Sequence, residues 1–221
     1  MGVQLPSPTL MKLNKFLVAN GNPTLLVEGC SLPKRQEVIT KYLGKGIDQI
    51  GFIKFGDSPK LEMMGNELCI NATLAFASIL KSKGKLNTSG IPKTIAYFNK
   101  PGLTTLLLPI KFSRPEENII LLSGIGFCMD KTKNKNRLEE LCKKYNLPAF
   151  GKIKYYKNKI EPTIYVTKTT STINESSCGS GSIAFSLFSR INKIVQPTGE
   201  IIEINRLGKL IKVSAKVTKI G

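Results

Sequence analysis

The chain has 221 residues, 41% hydrophobic and 22% charged, a globular composition able to bury one large core or two of about a hundred residues each. Its net charge of +18 comes from 28 Lys and only 5 Arg spread along the chain, a Lys-rich solvated surface that can attract anions. Nucleic-acid readers favour Arg forks, and no basic motif with interleaved aromatics occurs, so nucleic acid is not an expected partner.

In chain order, residues 1–10 are small, Pro-rich and aperiodic, and read as a tail outside the fold. No basic and apolar leader follows Met1, and no apolar run reaches the roughly 20 residues of a spanning helix, so a cytoplasmic protein with no membrane partner is expected. "KFLVANGNPTLLVEG" reads as two strands joined at Gly21-Asn22-Pro23. "LPKRQEVITKYLGKG" is a helix with Pro33 near its start and Gly44 at its stop, and "DQIGFIKFG" is a strand. A buried helix led by Cys69 should run to Gly84. "TIAYF", "LTTLLLPI" and "NIILLSGIGF" are strand-like, and the polar "PIKFSRPEEN" (Pro109 to Asn118) is the expected boundary between halves. An amphipathic helix around "NRLEELCKKYN" precedes a hairpin of "KIKYYKN" and "PTIYVTKT". A second apolar helix is led by Cys178, with Ile183, Ala184, Leu187, Phe188 and Ile191 inward, and "GEIIEI", "KLIKV" and "AKVTKI" close the chain as short strands.

The two cysteine-led segments are copies. "CINATLAFASI" and "CGSGSIAFSLF" agree without a gap at Cys69/Cys178, Ala75/Ala184 and Phe76/Phe185, with close substitutions at Ala72/Gly181, Thr73/Ser182 and Leu74/Ile183. An internal duplication follows, with an N-terminal lobe over 11–110, a C-terminal lobe over 111–210 and a final strand over 211–221. Five cysteines without a C-x-x-C pair fit neither a disulfide framework nor a zinc site. The chain has no histidine, which excludes Ser-His-Asp and Cys-His catalysis and His-ligated metals. Acid–base chemistry near neutral pH therefore falls to Cys, Lys or a shifted carboxylate. A thiol at a helix N-terminus meets free N–H groups and the positive dipole end, which favour the thiolate and lower its pKa. Two such thiols facing each other could take a proton from one side of a carbon and return one to the other. Cys30, Cys128 and Cys142 read as packing residues. "GSGSIA" also fits a dinucleotide fingerprint, but a polar stretch precedes it and too little chain follows for a nucleotide domain.

The motifs "GNELCINAT" and "ESSCGSGS", with "GNPTLLV" and "DQIGFI" in support, resemble the diaminopimelate epimerase superfamily of cofactor-independent amino-acid racemases and epimerases. The resemblance runs from about Asn14 to Gly221. It implies an α+β fold of two pseudo-symmetric lobes, each a curled, mostly antiparallel sheet or barrel around a central helix. In motif spelling the chain is nearest the histidine racemase branch. The Glu-Arg pair that the epimerase itself places before its second cysteine is Thr169-Thr170 here, and Met64 stands where its first cysteine precedes "GN". Ile70 replaces a Gly usual in the family.

By resemblance, Cys69 and Cys178 are the acid/base pair and no cofactor or metal is needed. Asn71, Ala72, Gly179, Ser180 and Gly181 would offer amides to the substrate carboxylate. Asn22 would orient the carboxylate or amino group, and Asp48, Glu67 and Glu175 would meet an ammonium or basic side chain. The expected activity is racemisation of histidine or a similar amino acid, in a possible homodimer. The alternatives are a diaminopimelate-type epimerase, or a non-catalytic relative that binds an anion or nucleic acid.

Overall fold

Residues 19 and 20 set the first departure from the sequence reading. In a computed structural model, which describes residues 11–130 and 137–220, Ala19 and Asn20 both take positive φ, 47° and 55°. They close a two-residue hairpin between β1 (Lys12–Val18) and β2 (Gly21–Glu28). Gly21, Asn22 and Pro23 therefore lie inside β2, not at the turn. Pairing slips between Phe16↔Thr24 and Val18↔Gly21, so Pro23 falls at a bulge, where its missing N–H is harmless.

A 3-10 turn (Leu32–Lys34) with Pro33 inside leads into α1 (Arg35–Tyr42), and Gly44 follows at φ +78°. β3 (Gln49–Lys54) returns parallel to β2, and β4 (Lys60–Met63) pairs with it. Next comes α2 (Ile70–Ser78), buried from Ile70 to Ala77. It stops short of Gly84, which lies in β5 (Lys83–Thr88). That glycine serves close approach: a Cβ there would meet the Tyr97 hydroxyl at 2.6 Å. β6 (Ile91–Lys100) and β7 (Leu103–Leu108) complete the first half.

The second half repeats the plan. β8 (Phe112–Glu116) occupies the stretch expected to be a plain boundary, and its Pro115 is tolerated at the end of the sheet path. The run "NIILLSGIGF" is a hairpin, β9 (Ile119–Leu122) and β10 (Ile125–Met129), turning at Gly124. α3 (Arg137–Tyr145) crosses to β11 (Ala149–Tyr156), parallel to β10, which pairs with β12 (Lys159–Val166). After β13 (Ser171–Asn174) come α4 (Gly179–Ser189), β14 (Lys193–Val195), β15 (Ile201–Leu207) and β16 (Leu210–Ile220). β16 is one continuous strand where two were expected.

Among the described residues the strands form one sheet. β1 to β7 run in sequence, β16 follows β7, and β16 pairs back to β1, so eight strands close a barrel around α2. β16 first pairs with β15 and then, from Val217, with β1, so one strand carries the chain from one half to the other. β8 to β15 curl around α4. The outer helices explain the unbroken apolar runs. On β2 and β3, Leu25, Val27, Ile50 and Phe52 face α1, while Leu26 and Ile53 face the core around α2. α3 covers the second half in the same way.

Candidate active site

Each cysteine is the N-cap of its central helix, with extended backbone: Cys69 before α2 at φ −120° and Cys178 before α4 at φ −143°. Cys69 Sγ accepts from Ala72 N–H at 3.3 Å, and Cys178 Sγ from Gly181 N–H at 3.1 Å. The Thr73 and Ser182 hydroxyls donate to the carbonyls of Cys69 and Cys178 at 2.7 and 2.6 Å. These are the same capping devices twice, so the duplicated spelling encodes a duplicated local structure.

The two helix ends meet head to head. Asn71 Oδ1 accepts from Gly179 N–H at 2.9 Å, while its Nδ2 donates to Ser177 O at 2.8 Å. In mirror fashion, Ser180 Oγ accepts from Ile70 N–H at 3.4 Å and donates to Leu68 O at 3.3 Å. Each helix's second residue thus caps the other helix and holds the carbonyl before the other cysteine. Ile70 is fully buried against Gly179, where a Cβ would come within 2.6 Å of Ile70 Cγ2. The bulk at Ile70 is accommodated by glycine across the contact.

The first-turn amides fall into two sets. The N–H groups of Ile70 and Gly179 are taken by the partner helix, and those of Ala72 and Gly181 by the thiols. Asn71 and Ser180, one per helix, keep backbone N–H groups with no hydrogen bond of good geometry among the described residues. That of Asn71 lies near enough to the Cys69 thiol to favour its thiolate. An N-terminal turn with one open amide from each of two helices suits a carboxylate.

Both thiols border one cavity. Its polar wall includes Asp48, Gln49, Glu67, Asn71, Glu175 and Ser180. Gly179 borders it as well, and its apolar wall is made by Met64, Leu68 and Ile70 of the first half and Ile125, Ile164, Val166 and Ile173 of the second. Asn22, Ala72 and Gly181 lie outside that wall. Asn22 is fully buried, gives its N–H to Ser176 Oγ at 2.8 Å, and its side-chain amide makes no hydrogen bond of good geometry, although it lies near enough to lower the pKa of Glu175. Glu67 Oε2 is buried and unpartnered.

Burial pushes both thiols well above the ordinary value, and the charge of Glu175 adds to it; the helix amides pull the other way and lose. The sequence expectation of a lowered thiol pKa is thereby corrected: these helix N-termini sit in a closed interior, where desolvation of the thiolate outweighs the dipole. Burial also raises Glu67 and Asp48, and pushes Glu175 up to about 7. Gln49 escaped the sequence reading although its motif was in view. Cys69 donates to its Oε1 at 3.2 Å, and its Nε2 donates to Glu175 Oε1 at 2.6 Å. Gln196 was missed too; its Oε1 accepts from Cys178 N–H at 2.8 Å.

No family model matches the chain. Two curated histidine racemases, from two strains of Fusobacterium nucleatum subsp. nucleatum, are similar to it. One is 29% identical over an alignment of 224 residues, covering 81% of this chain and 84% of its own. The other is 30% identical over 223, covering 81% and 83%. Among solved structures, a phenazine biosynthesis PhzC/PhzF protein from Clostridium difficile aligns with a TM-score of 0.60 at 13% identity over 96% of this chain and 98% of its own. A Pseudomonas aeruginosa protein described as a predicted epimerase aligns with a TM-score of 0.66 at 7% identity over 95% and 96%. These two share the fold. The chain belongs to the same family as the Fusobacterium nucleatum histidine racemases and is an isomerase of the racemase/epimerase type.

Proposed function

We propose that the chain is a cofactor-independent racemase that inverts the α-carbon of histidine or a similar free amino acid, with Cys69 and Cys178 as its acid/base pair. The observation that carries this reading is the pair of identically capped thiols bordering one cavity from opposite helix ends. One thiolate removes the α-proton as the opposite thiol delivers a proton to the other face, so the C–H bond broken and the C–H bond formed lie on opposite sides. A positioned acid or base contributes about 10²–10⁴-fold to such a step. The open N–H groups of Asn71 and Ser180 would hold the α-carboxylate and the charge that grows on it as the proton leaves. Glu67, with its unpartnered Oε2, would accept from the ammonium or a basic side chain, with Asp48 beside it. The relatives' activity supports histidine as the first substrate to try.

The test is α-proton exchange in D₂O, followed by NMR with single L-amino acids, beside Cys69→Ser and Cys178→Ser. Exchange of histidine that is lost in both variants is the expected result. Exchange that survives removal of both thiols, or no exchange with any amino acid, would sink the reading.

A further inference from the structure

The two half-sites are alike in fold and unlike in chemistry. Gly51 stands opposite Leu26 on the β2–β3 pair, and Gly151 stands opposite Phe127 on the β10–β11 pair. Aligned on these glycines, Thr24 and Gln49 of the first half fall level with Ile125 and Ala149 of the second. Cys69 accordingly meets a neutral amide, its S–H donating to Gln49 Oε1, which also accepts from the Thr24 hydroxyl at 3.2 Å. At the corresponding place near Cys178 the strands offer only apolar side chains. The polar neighbour of Cys178 is Glu175, three residues before it on the approach to α4; both line the same cavity, and the carboxyl lies near enough to the thiol to raise its pKa. Gln49 joins the two, since its Nε2 donates to Glu175 Oε1 at 2.6 Å. Two buried hydrogen bonds, Cys69 to Gln49 and Gln49 to Glu175, therefore carry a polar chain from one thiol to the neighbourhood of the other.

We propose that Glu175 is the proton acceptor that arms Cys178: its carboxylate takes the thiol proton, so that Cys178 begins as the thiolate base while Cys69, held by Gln49, begins as the acid. The assignment rests on the two-thiol reading above and adds which thiol starts as base for one enantiomer. The S–H bond of Cys178 breaks and an O–H bond forms on Glu175, with the charge moving from carboxylate to sulfur. Gln49 Nε2 requires a lone pair on Oε1, so the new proton belongs on Oε2. The thiolate then takes the α-proton of the substrate and Cys69 gives its own to the opposite face. Afterwards Cys178 is neutral, Cys69 carries the charge and Glu175 keeps its proton; the opposite enantiomer, bound next, runs the sequence backward. One negative charge is present throughout.

Burial first, and then the charge of Asp48, raise the carboxyl to about 7, against the nearby Cys178 thiol and Asn22 amide and the hydrogen bond from Gln49. An ionised Glu175 in turn keeps Cys178 protonated. The two groups cannot both be charged in this interior, and protonating one frees the other. The other titratable groups around them are Asp48 before β3, with Lys15 of β1 near it, Glu67 before α2, with Lys168 near it, and Cys69. None of these is placed to hydrogen-bond Cys178.

The test combines kinetics with thiol labelling. With L-histidine, Glu175→Gln is expected to lose about 10²-fold in kcat with KM changed less than about threefold, and to lack the inflection near pH 7 expected of the intact chain in kcat/KM. Iodoacetamide labelling of Cys178 in the unsubstituted chain, followed on its own peptide by mass spectrometry, needs no variant to fold. A shared charge predicts a labelling rate that rises to a plateau above about pH 7, because the thiolate fraction of the singly charged pair is fixed. A rate that climbs tenfold per pH unit through pH 9 overturns the proposal, as does Glu175→Gln that keeps both kcat and inflection. If Cys178→Ser abolishes exchange while these outcomes appear, only the role of Glu175 falls; if Cys178→Ser keeps exchange, the two-thiol reading itself falls.

Discussion

Gly179→Ala tests whether the contact between α2 and α4 holds the site together. The added Cβ would lie 2.6 Å from Ile70 Cγ2, 2.8 Å from Ile70 Cβ and 3.0 Å from Asn71 Oδ1. Carbon atoms pack at about 3.5–4.0 Å, so the helix ends must separate by about 1 Å. Ile70 cannot turn aside, because a β-branched residue in a helix has essentially one χ1 and one offending atom is its own Cβ. Separation stretches the bridge from Gly179 N–H through Asn71 to Ser177 O, now 2.9 and 2.8 Å, out of hydrogen-bonding range. Overpacking of this kind costs about 1–3 kcal/mol. Two weakened hydrogen bonds add about 1 kcal/mol each, and replacing glycine in a helix returns up to about 1 kcal/mol. The net expectation is a loss of about 2–5 kcal/mol.

A double-mutant cycle with Ile70→Gly isolates the contact. That variant alone is destabilised, since it empties a core position, but it removes both isoleucine atoms that the added methyl would strike. Gly179→Ala in the Ile70→Gly background is therefore expected to be neutral or mildly stabilising, giving a coupling of at least about 1 kcal/mol from urea denaturation curves. Exchange of α-protons should fall about 10²-fold in Gly179→Ala, because the amides of Asn71 and Ser180 move apart by the same distance. An equal cost of Gly179→Ala in both backgrounds would refute the reasoning.

Three further outcomes follow from the same geometry. Asn71→Ala strands Gly179 N–H and Ser177 O in the interior and should cost at least about 2 kcal/mol, whereas Ser180→Ala, whose bonds are 3.4 and 3.3 Å long, should cost about 1 or less; melting curves that rank them the other way would contradict the reciprocal caps. Glu175 binds its proton more tightly folded, at about 7, than at its ordinary 4.5, so the stability this gives is complete below about pH 4.5 and lost as pH rises through about 7. The gain from Glu175→Gln, measured by denaturant at pH 5 and at pH 8, should therefore grow by about 2.5 kcal/mol between them, and an unchanged gain would show that the carboxyl is not held protonated. Gln196→Ala removes acceptors and donors from Cys178 N–H, the Ser182 hydroxyl and Ile194 O, and should lower stability by about 2 kcal/mol, with a larger loss of exchange than of fold.

What the sequence disclosed was whatever is spelled locally. A thiol at an N-cap, a hydroxyl four residues on and a largely buried helix lie within one window, and they appear twice, so the two capped helices and the two-lobed architecture were legible. The misread parts depend on contacts from far along the chain. Ala19 in a left-handed turn carries no composition signal, and Gly21 is a strand residue that makes room for Ser176, which a Cβ there would strike at 2.8 Å. Gly84 resembled a helix stop but makes room for Tyr97. β4, β13 and β14 have only four, four and three residues, too short for a period to show. Gln49 and the wall of Ile164, Val166 and Ile173 reach the thiols through strand register, which no single window contains.

The mismatches between the two copies carry as much of the chemistry as the matches. Two helix ends brought head to head cannot both present isoleucine at their first position, since each would overlap the other. Two glycines there would leave a void in place of a buried contact, and the chain has one of each. The polar residues diverge under a similar constraint. A closed interior tolerates one negative charge between the thiols far better than two, so a second carboxylate at the place of Gln49 would raise both thiols further and leave neither able to ionise. An amide on one side and a carboxyl on the other keeps a polar path between the thiols with a single charge to move. Gln49→Glu is then expected to be worse for exchange than Gln49→Ala, which breaks the chain but adds no charge. The opposite order, measured at pH 8, would mean that the amide acts only as packing.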